Sequence, residues 1–364
     1  MQHQIGVAIV GCGAIALANH LPGLALCPAA RLVALCDADA AVLARAAART
    51  GVEATYQSYE DAIADPHVHA VIITTPNHLH APIALAAAAA GRHILCEKPL
   101  ALNYAESLRM LAAAEDAGVR HMTAFTYRFV PAMRYMARLT RGGAIGEPYH
   151  FRACRLQDWG GRALGWRQVA SLAGSGELGD MLSHRIDYGH LLLGPLARLV
   201  AQTRRHLDTR EGQPADVEDW VAVIGDFASG ASGVWESSKL AAGRGEGMRS
   251  QDYCEVNGSA GSLVYALERP HELLFGRAGA GGLETLPVPA ELLAWPGSPR
   301  DPRAGDPLTA FRYDQDVEFI NAILEQRPCA PSFRDGARAQ AVMDAVLTSA
   351  RERRWVDLPE EVER

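Results

Sequence analysis

Ile5-Gly-Val-Ala-Ile-Val-Gly11-Cys-Gly13-Ala-Ile-Ala16 is the stretch that decides the fold. A short apolar run leads directly into Gly-x-Gly-x-x-Ala, and Ile15 to Leu26 then reads as a helix. Strand, tight turn and helix in that order are the context a dinucleotide-binding fingerprint requires. Gly11 permits the turn, Gly13 lets the backbone approach a pyrophosphate, and Ala16 lets the helix lie close to the strand. Cys12, Ala14 and Ile15 complete the loop, whose amides and helix dipole would face the phosphates.

The same alternation continues outward. Leu32 to Cys36, Val68 to Thr74, His93 to Cys96 and Arg120 to Phe125 read as buried strands. They are separated by the alanine-rich helical runs Ala40 to Arg49, Ile83 to Ala90 and Tyr104 to Ala117. Such alternation predicts an α/β Rossmann domain, a doubly wound parallel sheet, over residues 1–124. Beyond it the rhythm changes. Pro148 to Leu156, Leu199 to His206, Trp220 to Phe227, Ala231 to Ser237, Tyr253 to Val256 and Ser262 to Leu267 read as strands joined by Gly-rich turns. Residues 125–364 are therefore expected to form an α+β domain with a large, open, mostly antiparallel sheet. Helical patterns at Gln315 to Gln326 and Asp335 to Arg353 close the chain, the last of them a candidate to pack back on the Rossmann domain. Residues 276–282 and 295–307 read as surface loops.

The second strand ends at Cys36-Asp37, 21 residues beyond Ala16. That is the spacing of a carboxylate that accepts the adenosine ribose hydroxyls and repels a 2′-phosphate, which favours NAD. Arg45 is the nearest basic residue, and by folding back it would admit NADP. Helix N-capping is the competing reading of Asp37. Glu97-Lys98-Pro99 falls at the carboxyl end of a predicted parallel strand, where open α/β sheets place their ligands. Further on, Gly174-Ser-Gly-Glu-Leu-Gly-Asp180-Met-Leu-Ser-His184 sets a carboxylate and an imidazole four residues apart after a Gly-rich turn. On a helix they share one face, and an aspartate there would orient the ring and stabilise its protonated form. The competing reading is a surface pair.

Composition bounds the rest. The 364 residues carry 35 Lys plus Arg against 42 Asp plus Glu, a net charge of −7, so a nucleic-acid partner is disfavoured. Seven cysteines without a C-x-x-C pair suit free thiols in a reducing compartment. No leader or membrane span is legible, so a cytoplasmic location is expected. His67 and His69, and His78 and His80, form H-x-H pairs at opposite ends of one predicted strand. That separation opposes a shared metal site, and no metal is expected.

Several segments together resemble the glucose-fructose oxidoreductase / inositol dehydrogenase / rhizopine-catabolism (Gfo/Idh/MocA) family over nearly the whole chain. They are Gly11 to Ala16, Thr75-Pro-Asn-His-Leu-His80, Glu97-Lys98-Pro99, Phe125-Thr-Tyr-Arg128-Phe-x-Pro131, Gly143 to Gly146, Trp166-Arg167 and Gly176-x-x-x-Asp180-x-x-x-His184. The resemblance implies catalysis by Lys98, Asp180 and His184. It also implies cofactor contacts from Thr75, Pro76, Asn77, His80, Glu97, Lys98, Trp166 and Arg167, and oligomerisation through the exposed face of the second sheet. Many relatives carry Asn where Thr126 stands.

With NAD as the cofactor, or NADP, the expected reaction is hydride transfer between a secondary alcohol of a sugar, sugar derivative or cyclic polyol and the nicotinamide. Lys98 and His184 are alternative bases. Lys98, Tyr127, Arg128, Asp180 and His184 are the expected substrate contacts, with Trp159, Arg162 and the loop 239–249 as further candidates. The competing readings are an NAD-dependent glycosidase that works by transient sugar oxidation and a non-catalytic NAD-binding regulatory protein.

Overall fold

A computed structural model describes residues 4–161, 163–247 and 250–360. Six strands, β1 (Ile5–Val10), β2 (Ala30–Cys36), β3 (Thr55–Tyr56), β4 (Ala70–Ile73), β5 (His93–Cys96) and β6 (His121–Thr123), form one sheet in the order β3-β2-β1-β4-β5-β6. Every pairing in it is parallel. All four residues of β4 and five of the six of β1 are buried, as expected of strands covered on both faces. Chain order reverses between β1 and β4, which opens a crevice at their carboxyl ends.

The fingerprint leads into a π-helical turn, Ala16–His20, that continues as α1 (Leu21–Ala25). Also around this sheet lie α2 (Ala40–Thr50), α3 (Tyr59–Ala64), α4 (His80–Ala89) and α5 (Tyr104–Asp116). Asp39 caps α2 by accepting the Ala41 and Val42 amides, so N-capping falls to Asp39 rather than Asp37. His69 sits at a strand margin, its Nδ1 accepting the Gly6 amide at 2.9 Å.

After α6 (Pro131–Arg141) comes the first strand of the second sheet, β7 (Pro148–Leu156), then α7 (Ala170–Ala173), α8 (Ser183–Leu193) and β8 (Leu196–Arg204). The short hairpin β9 (Thr209–Arg210) and β10 (Gln213–Pro214) follows. The remaining strands are β11 (Trp220–Phe227), β12 (Ser232–Ser238), β13 (Gln251–Gly258), β14 (Gly261–Ala266), β15 (Glu272–Arg277), β16 (Glu284–Pro287) and β17 (Val356–Asp357). They assemble in the order β16-β15-β14-β13-β7-β12-β11-β8-β17, with only β7 and β12 parallel. On the inner face Phe151, Phe227 and Trp235 form an aromatic cluster with centroids 5.1–5.8 Å apart. Tyr149, Ile224 and Val234 stand exposed.

β3, β15, β16, β17 and the hairpin had no counterpart in the sequence reading, and β15 reaches two residues into the segment read as loop. These strands are short, edge or largely exposed, so their alternation is weak.

Helix α9 (Asp314–Leu324) precedes α10 (Phe333–Glu352). α10 packs against α5, which flanks the first sheet: Asp344 accepts the Tyr104 amide and Arg334 pairs with Glu115. At its other end Ser349 accepts the amide of Ala201 on β8.

Arg128 belongs to this scaffold, which corrects its expected substrate contact. Its guanidinium donates to Asp187 on α8 at 2.7 and 2.5 Å and to Asp335 on α10 at 2.9 Å. Asp187 is buried, which raises its pKa to about 6 although Arg128 opposes that rise. Removing one partner of a buried ion pair leaves an uncompensated charge. Arg128→Met is therefore expected to lower unfolding stability by about 3–5 kcal/mol in urea titrations, with NAD affinity unchanged.

Candidate active site

A cavity of about 570 Å³ runs along the crevice from Asp37 to His184, within the roughly 300–1,000 Å³ of small-ligand sites. Its floor is the fingerprint loop. Gly11 has φ +94°, and a Cβ there would stand 2.8 Å from the Thr74–Thr75 backbone, so both turn and packing require glycine. At Gly13 nothing lies within 4 Å of an added Cβ, which leaves its backbone open to a ligand. Ala14 and Ile15 line the wall. Cys12 does not: its thiol is buried, and its amide donates to Asp37 Oδ2 at 2.7 Å.

Asp37 Oδ1 accepts the Asp39 amide at 2.9 Å. The two backbone bonds fix the carboxylate at the cavity edge, with lone pairs left for ribose hydroxyls. Its lining neighbours are Cys36, Ala38, Asp39, Gln57 and Tyr59. Arg45 is not among the lining residues, so two carboxylates and no cation face a would-be 2′-phosphate.

The Thr75–Asn77 turn lines the opposite wall with Pro76. Asn77 Nδ2 donates to the Ala173 carbonyl at 2.9 Å, tying the turn to α7. His80 is buried behind it, with Nδ1 2.9 Å from the Pro99 carbonyl and Nε2 3.1 Å from the Thr75 carbonyl. Burial lowers its pKa although both carbonyl contacts oppose that, and with each nitrogen against a carbonyl oxygen the ring ties the two turns together rather than presenting a free nitrogen to a ligand. Thr75 Oγ1 and Asn19 Nδ2 are buried without a hydrogen-bond partner and belong to lining residues. Open backbone, a carboxylate fixed at the cavity edge and orphaned polar atoms fit a dinucleotide.

At the far end Lys98, carried on the turn after β5, donates from Nζ to the Asp180 carbonyl at 2.6 Å and to Asp180 Oδ1 at 3.2 Å. Arg167 Nε lies 3.6 Å from the same carboxylate oxygen, and its guanidinium stacks on Trp166. Burial would raise the Asp180 pKa, but Lys98 and then Arg167 outweigh it and hold it at about 2.

The expected partnership of Asp180 with His184 is not formed. Residues Leu178–Leu182 make a π-helical turn, and Asp180 faces Lys98. His184 Nδ1 has no hydrogen-bond partner. Tyr127 at 4.6 Å and Phe125 at 5.9 Å hold its ring edge-on. Burial first, then the charges of Lys98, Arg185, Arg312 and Arg155, press its pKa well below the ordinary value. The ring is therefore neutral, not the stabilised imidazolium that the i,i+4 spacing suggested.

Tyr127 lines the cavity with Thr126, Met181 and Arg312. Trp159 and Lys239 do not line it. Lys239 is buried over the Trp159 ring, with Nζ 3.9 Å from Asp219. Arg162, Met248 and Arg249 lie outside the described residues.

Asn19, His20 and Arg312 escaped the sequence reading. His20 Nδ1 lies 2.8 Å from Asp316 Oδ1 and Nε2 3.2 Å from Glu97 Oε1. The available signal was a polar Asn19-His20 pair inside an otherwise apolar helix; Arg312 had none.

A doubly wound sheet with a dinucleotide cradle, ending beside an ammonium, a carboxylate and an imidazole, defines the class of nicotinamide-dependent oxidoreductases. The oxidoreductase-family profile with an NAD-binding Rossmann fold matches residues 5–125, and the GFO/IDH/MocA C-terminal domain matches residues 133–264. Levoglucosan dehydrogenase of Pseudarthrobacter phenanthrenivorans is 34% identical, covering 98% of this chain and 99% of its own. Inositol 2-dehydrogenase of Rhizobium meliloti is 29% identical, with 90% of this chain and 92% of its own covered. A solved levoglucosan dehydrogenase in complex with NADH and levoglucosan superposes with a TM-score of 0.90 at 35% identity, over 98% of this chain and 100% of its own. The chain belongs to the Gfo/Idh/MocA family of oxidoreductases.

Asp37→Ala is expected to weaken NAD binding about tenfold, the loss of one charged hydrogen-bond acceptor. NADP binding should weaken less or improve. Fluorescence titration of both cofactors checks this, and equal losses would contradict the ribose assignment.

Proposed function

We propose that this protein is an NAD-dependent dehydrogenase that moves hydride between a secondary alcohol of a sugar, sugar derivative or cyclic polyol and the nicotinamide. The observation that carries the reading is the meeting of Lys98, Asp180 and His184 at the end of the cavity opposite Asp37. Bound nicotinamide supplies the hydride acceptor or donor. Gly11, Gly13, Ala14 and Ile15 form its phosphate cradle, Asp37 holds the ribose, and Thr75 to Asn77, Glu97, Trp166 and Arg167 complete the enclosure. We assign residues 1–124 to cofactor binding and 125–364 to substrate binding and assembly.

His184 is the base. A neutral, buried imidazole accepts the hydroxyl proton without first losing one of its own. Lys98 donates a hydrogen bond to the oxygen on which negative charge develops, and Asp180 fixes that ammonium from the other side. In a partly dry crevice such a fixed charge stabilises an alkoxide far more than it would in water. The Tyr127 hydroxyl is a further donor to the substrate. Burial opposes its ionisation, yet Arg155, Arg312 and Arg185 together lower its pKa.

Levoglucosan and other compact neutral sugars head the substrate class, by likeness to the whole-length relatives. The physiological reaction runs in either direction, since direction follows metabolite levels. Seven buried, unpaired cysteines support a reducing, cytoplasmic location. The exposed Ile224 and Val234, paired across β11 and β12, support assembly through the outer face of the second sheet.

Lys98→Ala and His184→Ala are each expected to lower kcat by about 10²–10⁴ while NAD still binds. Near-normal turnover in both, assayed as NADH formation over a panel of anhydrosugars, aldoses and inositols, would remove the mechanism. The pH profile carries a sign. The base must be neutral, and the His184 pKa is lowered, so the acid limb of kcat/KM falls below the ordinary histidine value of about 6.5. A limb at or above that value contradicts His184.

A further inference from the structure

His20 lies on the helix that follows the fingerprint, Glu97 at the end of β5, and Asp316 in the first turn of α9. The three side chains meet in a pocket where His20 and Asp316 are fully buried and Glu97 nearly so. Both nitrogens of His20 face carboxylate oxygens, so with both carboxylates ionised both must donate, which only the protonated ring can do. Burial lowers the pKa of this ring, but Asp316 and then Glu97 outweigh it and raise it to about 10.

Glu97 is gripped at both oxygens. Oε1 accepts from His20, and Oε2 accepts the backbone amide of Lys98 at 3.2 Å. It therefore stands between a buried cation and the residue whose ammonium reaches Asp180. The charge of Lys98 is also close enough to help keep Glu97 ionised, after the hydrogen bond and charge of His20. A buried carboxylate that loses its partner must take a proton or find the nearest cation. Here that cation is Lys98.

We propose that His20 is a positioning residue for the reaction: by holding Glu97, it keeps that carboxylate from capturing the Lys98 ammonium and so leaves Nζ on Asp180 and the reacting oxygen. Asp316 anchors the ring from α9, so the alignment of Lys98 depends on a contact between the amino-terminal helix and the last third of the chain. Gly23 belongs to the same device, because a Cβ there would stand 2.2 Å from Asp316 Oδ2. The inference rests on the role of Lys98 proposed above, and Lys98→Ala tests that role separately. Normal turnover in Lys98→Ala ends the role assigned to that lysine, whereas the variants below bear on His20 alone.

Two amides split the imidazole. His20→Gln keeps a donor near Nε2, toward Glu97, while His20→Asn keeps one near Nδ1, toward Asp316. Each removes one charged contact, so a purely structural role predicts similar losses in both. The positioning role predicts a tenfold or larger fall in kcat for His20→Asn, with the Kd for NAD within threefold, and at least partial recovery of kcat in His20→Gln.

A readout without cofactor or substrate comes from the lysines. The chain has two, Lys98 and Lys239, and Lys239 is buried. Trace acetylation with acetic anhydride, mapped by peptide mass spectrometry, therefore reports on Lys98. Capture by Glu97 slows Lys98 labelling at least threefold in His20→Asn but not in His20→Gln, whereas simple loosening speeds it in both. The double variant His20→Asn/Glu97→Gln has no orphaned carboxylate, which favours folding even if His20→Asn fails, and it labels at least as fast as the wild type. Equal behaviour of the Asn and Gln variants, unchanged or faster labelling in His20→Asn, or slow labelling in the double variant overturns the proposal.

Discussion

The ammonium of Lys98, donating across the crevice to both the carbonyl and the carboxylate of Asp180, is the contact on which the site depends. One partner stands on the turn after β5 in the first sheet, the other on the π-helical turn before α8. Neither sheet alone makes the arrangement. A buried charge network of His20, Glu97 and Asp316 stands behind Lys98, and Arg167 flanks Asp180 on the other side. An interaction between flexible, exposed charges would contribute little. Here both side chains are largely withdrawn from water, and their backbones are fixed by packed elements.

The wall behind His184 is built from charge as well as apolar surface. Arg185 is paired with Asp252, and Arg155 lies 3.4 Å from the same carboxylate. Arg210 pairs with Asp219 at 2.9 Å. Glu177 is buried with Ser237 as its partner, and burial raises its pKa to about 8. Burial first, then the charges of Lys98, Arg185, Arg312 and Arg155, hold the His184 pKa down, while Lys98 and Arg167 keep Asp180 ionised. Both pKa values are driven down, the imidazole's and the carboxylate's alike, and perturbed titratable groups gathered in a cleft are a common mark of a functional site. In the proposed chemistry the neutral ring receives the proton and the fixed ammonium meets the charge left on oxygen.

Much of this was legible from local pattern. The fingerprint, the Glu97-Lys98-Pro99 turn and the alternation of the first third each depend on residues a few positions apart, where backbone sterics and hydrogen bonding act directly. Asp180 and His184 were found, but their relation was misread. The spacing of four implies a shared α-helical face, and the chain makes a π-turn there. Arg128 carries a motif and a charge, and nothing local distinguishes a guanidinium aimed at substrate from one locked between two helices.

Taken alone, the sequence determined the parallel sheet and its cofactor turn, because strand burial and turn geometry are short-range constraints, whereas Lys98, Asp180 and His184 were singled out together through the family resemblance. Tertiary structure decided which charges pair. Lys98 takes Asp180 instead of Asp180 taking His184, and His20 joins Glu97 to an aspartate 296 residues away. Arg128 is turned into scaffold in the same way. Burial makes those pairings count, since removing water strengthens each surviving contact and forbids a lone charge. Which groups are buried together is set by how the two sheets and the last two helices pack.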